Sequence, residues 1–499
     1  MPARGTTALL TLALAASLAG TAGIAGAESS RHGDQADHGK NGKIKNVIYL
    51  LGDGMGRTHV TAARTRYYGA DGHLVMESLP AVGQVSTYAV QQGSGQPGSS
   101  DFAPNYVTDS ASAATAWSSG VKTYNAALGV DAKGNVVPTL MEYAKQAGLR
   151  TGNVSTAEIT DATPAGQMSH VLLRGCQGPT YSASACQNPT LTGGALPTSD
   201  VRVTPVADQI ARNGTADVIL GGGLSRFDAA DESALEAQGY DVLGSPATQT
   251  VATKTDLAGT SAPKVFGLFN KGNLTIEKYK RENPSSVQAQ EPTVADMTAK
   301  AISLLSSGKK GFYLQVEGAL IDKRSHANDA AQTLEEIKAF DEAVRVARDF
   351  ARRDGHTLVI VTADHECAGF NIIEKGTFTN AEATTPPANT DGGNTANNST
   401  PSRPSGGAKD PVRSTGPVNG SGAGDPKNFA PATFRTADDP AGVVDGSPDA
   451  SLWLTYLSGN HTGADVPVFA YGPGSDELEG SIDNTDLFDI VGGALGLTD

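Results

Sequence analysis

Three short apolar runs that each stop in acidic residues limit the fold more than any other feature of this chain. Lys45-Asn46-Val47-Ile48-Tyr49-Leu50-Leu51 stops in Gly52-Asp53-Gly54-Met55-Gly56. Gly311-Phe312-Tyr313-Leu314-Gln315-Val316 stops in Glu317-Gly318, and Thr357-Leu358-Val359-Ile360-Val361 stops in Thr362-Ala363-Asp364-His365. Runs this short, without alternation, read as strands covered on both faces, as in a parallel sheet. Helix-like stretches lie around them, from Leu140 to Ala147, Thr204 to Arg212, Thr293 to Ser306 and Thr333 to Arg352. Further strand-like runs extend from Asp217 to Leu220 and from Val466 to Tyr471. The alternation predicts an α/β fold, a large mostly parallel central sheet with helices on both faces. Ligands bind beyond the carboxyl ends of the strands in such sheets, so the three acidic tips are expected to converge. The glycines after the first run lack the spacing of a dinucleotide fingerprint and read as letting the backbone turn tightly around Asp53.

The remaining organisation is coarser. Arg4, the apolar stretch from Ala8 to Leu18, and Ala25-Gly26-Ala27 predict a signal peptide over residues 1–27, hence a secreted or extracytoplasmic protein. Residues 28–44 read as a flexible lead-in and 45–499 as one catalytic domain. A Thr-, Pro-, Asn-, Gly- and Ser-rich insertion at about 375–435 reads as a smaller crown. No later segment is long and apolar enough to span a bilayer. The formal charge of −15 argues against nucleic acid and anionic membranes as partners. It leaves a phosphate substrate open, because surface charge is screened beyond roughly 8 Å. In an oxidising compartment Cys176 and Cys186, separated by loop-like sequence, are the natural disulfide pair, which leaves Cys367 free.

Several stretches carry chemistry. In Thr108-Asp109-Ser110-Ala111 a hydroxyl-bearing turn opens a run of small helix formers, placing Ser110 where free N–H groups favour an anion. A plain helix cap by Asp109 or Ser110 explains the same residues. Asp322 and His326, four apart, share one face if helical and so can grip one ion, although a surface helix pair has the same spacing. Asp364 and His365, adjacent at a strand end, are expected to point to opposite sides and serve two ions. His461, between Gly459 and Gly463, offers another imidazole. Asp161 and Thr163 offer a carboxylate and a hydroxyl, and Arg174 a fork for two phosphate oxygens. Histidine with aspartate suits zinc, and carboxylates with a hydroxyl suit magnesium.

In order and spacing, Leu51 to Gly56, Thr108 to Ala111, Asp161 to Ala165, Val316 to Gly318 with Asp322 and His326, Thr362 to His365, and His461 to Gly463 resemble the alkaline phosphatases. The resemblance spans residues 45 to 495. It implies that Asp322, His326 and His461 hold one zinc and that Asp53, Asp364 and His365 hold a second. Asp161, Thr163 and Glu317 would hold a magnesium, with Asp53 bridging to it. Ser110 would be the nucleophile, Arg174 the phosphate clamp and Asp109 its orienting partner. Lys323 and Asp161 match the bacterial branch, as does a disulfide loop at Cys176 and Cys186. Cys367 stands where bacterial members carry another histidine, and is expected to be a buried, passive thiol. The implied activity is hydrolysis of phosphate monoesters through a phosphoserine, by a homodimer. Every residue named addresses the phosphoryl group, so a broad substrate range is expected. No Cys-x-Pro-x-Arg stretch marks a sulfatase. A secreted metal or phosphate binder without turnover would need no hydroxyl at Ser110.

Overall fold

The computed structural model describes residues 43–375, 432–447, 449–456 and 459–498. The signal peptide expected over 1–27, nearly all of the 28–44 lead-in and most of the 375–435 insertion lie outside the described residues. Ten strands form one sheet: β1 (Asn46–Gly52), β2 (Ala81–Ser86), β3 (Arg150–Glu158), β4 (Val218–Gly222), β5 (Asp241–Leu243), β6 (Val265–Leu268), β7 (Phe312–Gly318), β8 (Thr357–Thr362), β9 (Val466–Tyr471) and β10 (Gly480–Asp483). Their order is β10-β2-β9-β8-β1-β7-β3-β4-β6-β5. Only β9 runs antiparallel to its neighbours, β8 and β2.

The three acid-tipped runs are the adjacent strands β8, β1 and β7, every residue of which is buried. Leu51 stands opposite Thr362 on one side and Glu317 on the other, so the three strands end level. That register, set by apolar burial on both faces, brings Asp53, Glu317 and Asp364 to one edge of the sheet. Of the helices, α1 (Arg57–Tyr68), α2 (Ser110–Ser119), α3 (Val294–Leu305), α4 (Leu320–His326) and α5 (Ala330–Asp354) bear on the site. They cover both faces. Gln315 of β7 accepts a hydrogen bond from Trp117 of α2, whereas three positions along the same strand Gly318 lies against Phe340 of α5.

Most expected elements appear with ends shifted by one to three residues. The stretch from Thr293 to Ser306 is α3 with Thr293 as its N-cap, in a capping box with Asp296. Strand β3 was not expected, because its buried interior is polar. Thr151 Oγ1 donates to Thr215 O at 2.6 Å, Asn153 Nδ2 to Pro164 O at 2.8 Å, and Ser155 Oγ to Glu317. Partnered polar groups of this kind can be buried at little net cost, and they hide a central strand from a search for apolar runs. A small antiparallel sheet of Asn371–Ile373, Leu452–Thr455 and Ala432–Phe434 flanks the two ends of the insertion. Cys176 and Cys186 are bonded, and Cys367 is free and buried.

Candidate active site

Two glycines make the turn after β1 possible. Gly54 has φ of +69°, and a Cβ there would sit 2.8 Å from the Cys367 Cβ and 2.9 Å from Asp322 Oδ1. A Cβ on Gly56 would overlap Glu366 Cγ at 2.3 Å. Only glycine lets this loop press against both neighbours and leave Asp53 at its tip. Asp322 and His326 lie four apart on α4, with His326 Nε2 at 3.1 Å from Asp322 Oδ2.

His326 Nδ1 is 2.7 Å from Gly459 O, and His461 Nδ1 is 3.0 Å from Thr108 O. A carbonyl only accepts, so both Nδ1 atoms carry hydrogen and both neutral rings offer a lone pair at Nε2. Those two Nε2 atoms lie 3.1 Å apart, and Asp322 Oδ1 is 3.5 Å from that of His461. Two such lone pairs facing each other beside Asp322 suit a shared cation, and a zinc ion would meet all three donors.

Asp53, Asp364 and His365 form an adjoining group. His365 Nε2 lies 3.1 Å from Asp364 Oδ2, 3.6 Å from Asp53 Oδ1 and 3.1 Å from Ser110 Oγ. This corrects the expectation that Asp364 and His365 point to opposite sides. Both follow the end of β8, where strand alternation no longer applies, and Asp364 Oδ1 accepts from the N–H groups of Gly54 and His365 at 3.0 and 3.1 Å. Ser110 is the first residue of α2. Asp109 is the N-cap, accepting from Ser112 N at 2.9 Å, so the hydroxyl of Ser110 is not spent on capping.

The third group gathers around Asp161. Its two oxygens accept from Arg174 Nη2 and Lys323 Nζ, each at 2.7 Å, while Arg174 Nη1 reaches Asp109 Oδ2 at 3.2 Å. Glu317 accepts from Ser155 Oγ, a partner that only the polar strand β3 supplies and that no motif signalled. Gln315 Nε2 donates to Thr163 O at 3.0 Å and steadies the helical turn Ala162–Ala165 that carries Thr163.

Five buried or largely enclosed carboxylates, Asp53, Asp161, Glu317, Asp322 and Asp364, thus face two fixed cations, Arg174 and Lys323. Burial raises Glu317 to about 7, against the pull of the Ser155 hydroxyl. Burial and the neighbouring Asp322 raise Asp364 to about 6. Burial, then Asp364, Asp322 and Glu317, push Asp53 well above the ordinary carboxylate range. Asp322 is also pushed up by burial, but His326 and His461 outweigh that and hold it well below. Among the described residues, the buried atoms Asp53 Oδ1, Asp322 Oδ1, Asp364 Oδ2 and Thr163 Oγ1 have no hydrogen-bond partner. An excess of carboxylate with orphaned oxygens is what divalent cations would complete. Two sets of ligand atoms lie within 4.8 Å of one another, one of Asp322, His326, Cys367 and His461, the other of Asp53, Asp322 and His365. The Cys367 thiol is a member of the first set, its Sγ 3.8 Å from Asp322 O, with burial and Asp322 holding its pKa well above the usual thiol value.

A family profile described as Alkaline phosphatase matches residues 44–497. The chain is 36% identical over 484 residues to an alkaline phosphatase of Escherichia coli K12, with 91% of this chain and 86% of that one covered. It is 34% identical over 484 residues to the streptomycin-6-phosphate phosphatase of Streptomyces griseus, with 91% of each chain covered. Its fold resembles that of a variant alkaline phosphatase from the Antarctic bacterium TAB5, solved with magnesium bound. The TM-score is 0.61 at 25% identity, over 92% of this chain and 99% of that one.

Proposed function

This chain belongs to the alkaline phosphatase family and is a phosphate-monoester hydrolase, and we propose that it works through a phosphoserine on Ser110, on a broad range of monoesters, outside the cytoplasm. The observation that carries the covalent route is the position of Ser110 Oγ, uncommitted to the helix cap and 3.1 Å from His365 Nε2. Asp322, His326 and His461 would hold one zinc, Asp53, Asp364 and His365 a second, and Asp161, Thr163 and Glu317, with Asp53, a magnesium. When bound, the ions supply Lewis acidity, favouring loss of a proton from the serine hydroxyl and from water. Ser110 Oγ forms a bond to phosphorus as the ester P–O bond breaks and the alcohol leaves. A water oxygen then bonds to phosphorus as the Oγ–P bond breaks, which releases inorganic phosphate and restores the serine.

Arg174 keeps its charge throughout. Burial lowers its pKa, but Asp161 and Asp109 more than offset that. The two acids hold the guanidinium plane, and its remaining N–H donors suit two oxygens of a phosphoryl group. Arg174→Ala is expected to lower kcat/KM about 10²-fold and to weaken competitive inhibition by inorganic phosphate in parallel, because the clamp acts on ground state and transition state alike. Arg174→Lys should recover only part of either. Steady-state kinetics with phosphate as inhibitor check both, and an unchanged inhibition constant would remove Arg174 from the clamp.

Substrate range follows from what the site leaves untouched. No residue given a role addresses the alcohol, and the Streptomyces griseus relative is named for streptomycin 6-phosphate. Monoesters of unrelated alcohols are expected to fall within about tenfold of one another in kcat/KM. The matching diester should be split far more slowly, and faster cleavage of it would refute the monoesterase assignment. Export directed by residues 1–27, a single catalytic domain over 45–499 and a homodimeric assembly complete the proposal. No described helix is long and apolar enough to cross a membrane.

A further inference from the structure

We infer that Glu366, with Thr462, is a positioning group that holds His461 in register with His365 and with the turn that carries Asp53. The inference rests on the reading that these histidines hold zinc. It begins from a coincidence of sequence neighbours. Ser325 precedes His326, Glu366 follows His365 and Thr462 follows His461; Thr462 donates to Glu366, whereas Ser325 bonds to His59, whose ring only packs beside that carboxylate.

Glu366 is largely buried, with 7% of its surface exposed. Its Oε1 accepts from Phe370 N at 2.9 Å, and its Oε2 from Gly369 N at 3.1 Å and from Thr462 Oγ1. Its Cγ fills the space that the missing Cβ of Gly56 leaves beside the Asp53 turn. His59, on α1, is fully buried and kept neutral, burial pulling its pKa to about 3. The His59 ring lies 4.6 Å from that of Phe370, its Nδ1 3.9 Å from Glu366 Oε1, and its Nε2 3.0 Å from Ser325 Oγ. Ser325 in turn donates to Ile321 O at 2.9 Å, within α4.

The need for such an anchor is geometric. Glu366–Cys367 pairs with His461–Thr462 as an antiparallel ribbon of two residues per strand, with Glu366 opposite Thr462 and Cys367 opposite His461. A ribbon this short cannot hold its own register. Alternation puts Glu366 and Thr462 on one face and Cys367 and His461 on the other. A carboxylate that accepts three hydrogen bonds on the outer face therefore fixes the imidazole on the inner one, and its contact with Gly56 ties both to the turn that carries Asp53. None of these groups touches the reacting centre. Their effect reaches it through ligand orientation, which typically changes metal affinity by about 10–100-fold.

The test uses the zinc- and magnesium-loaded protein. After addition of a chelator, Thr462→Val is expected to release zinc about tenfold faster than the parent, and Glu366→Gln faster still, because its amide sets an N–H against an N–H donor. Thr462→Ser, which keeps the hydroxyl, should behave as the parent, and the visible spectrum of cobalt-substituted protein should shift in Thr462→Val and return in Thr462→Ser. General loosening of the fold would not give that rescue. Zinc release and cobalt spectra that are the same in Thr462→Val as in the parent would overturn the inference, as would a Thr462→Ser variant as impaired as Thr462→Val. If the parent itself holds no zinc, the metal reading fails and the inference with it. If the parent holds zinc and the variants hold it equally well, only the inference fails.

Discussion

Ser110→Ala is expected to lower kcat/KM for phosphate monoesters by about 10³-fold, ~4 kcal/mol of transition-state stabilisation, with metal content and fold intact. The fold should survive because Ser110 does not cap α2. Asp109 does, through Ser112 N, and alanine is the best helix former at the position that follows. The loss should stop short of complete, because Arg174 and the metal-binding groups remain to orient a phosphate and a water. Protein incubated with inorganic phosphate at acid pH and examined by mass spectrometry should carry a phosphoryl group on the Ser110 peptide in the parent and none in the variant. Nearly full turnover by Ser110→Ala would end the covalent route.

The central strands of the sheet were legible in the sequence for a physical reason. Buried parallel strands announce themselves as apolar runs. Hence β1, β7 and β8 were legible, and with them Asp53, Glu317, Asp364 and His365. The pair Asp322 and His326 was legible because a helix converts a spacing of four into one face, as α4 does. Strand β3 was not, since Thr151, Asn153 and Ser155 are buried against hydrogen-bond partners that come from distant segments. The same blindness concealed Ser155 beside Glu317 and Glu366 beside Thr462. Glu366 and Thr462 are 96 residues apart and meet only in the folded chain. Asp364 and His365 were assigned opposite directions because strand alternation was carried past the last residue of β8, where the chain has already begun to turn.

Removal of the metals is expected to make stability depend on pH in a way that the loaded protein does not. Without cations Glu317 rises from 4.5 to about 7, chiefly through burial, and Asp53 rises well above its ordinary value. A group whose folded pKa is raised contributes stability below its unfolded pKa and loses it as pH climbs through the folded value. Asp364, raised to about 6, has given up most of its contribution by pH 6.5. His365, held well below 6.5 by burial and His461, acts in the opposite sense, but above pH 6.5 its unfolded imidazole has at most half a proton left to lose. His461, lowered by burial but raised more by Asp322, acts with the acids. Asp322 and Asp161, held low, change only in acid. Between about pH 6.5 and 8 the metal-free native state therefore still sheds protons that the unfolded chain has already lost. Each such proton costs about 1.4 kcal/mol per pH unit while it titrates, and Glu317 alone accounts for ~3 kcal/mol over its whole range. Divalent cations replace those protons with charges that do not titrate, so the gap in unfolding temperature between loaded and chelated protein should widen steadily as pH is raised from 6.5 to 8. Groups outside the site are common to both forms and cancel in the difference. Scanning calorimetry of the two forms at half-unit steps measures it, and a gap that stays constant or narrows would mean that the carboxylates at the tips of β1 and β7 are not what the metals neutralise.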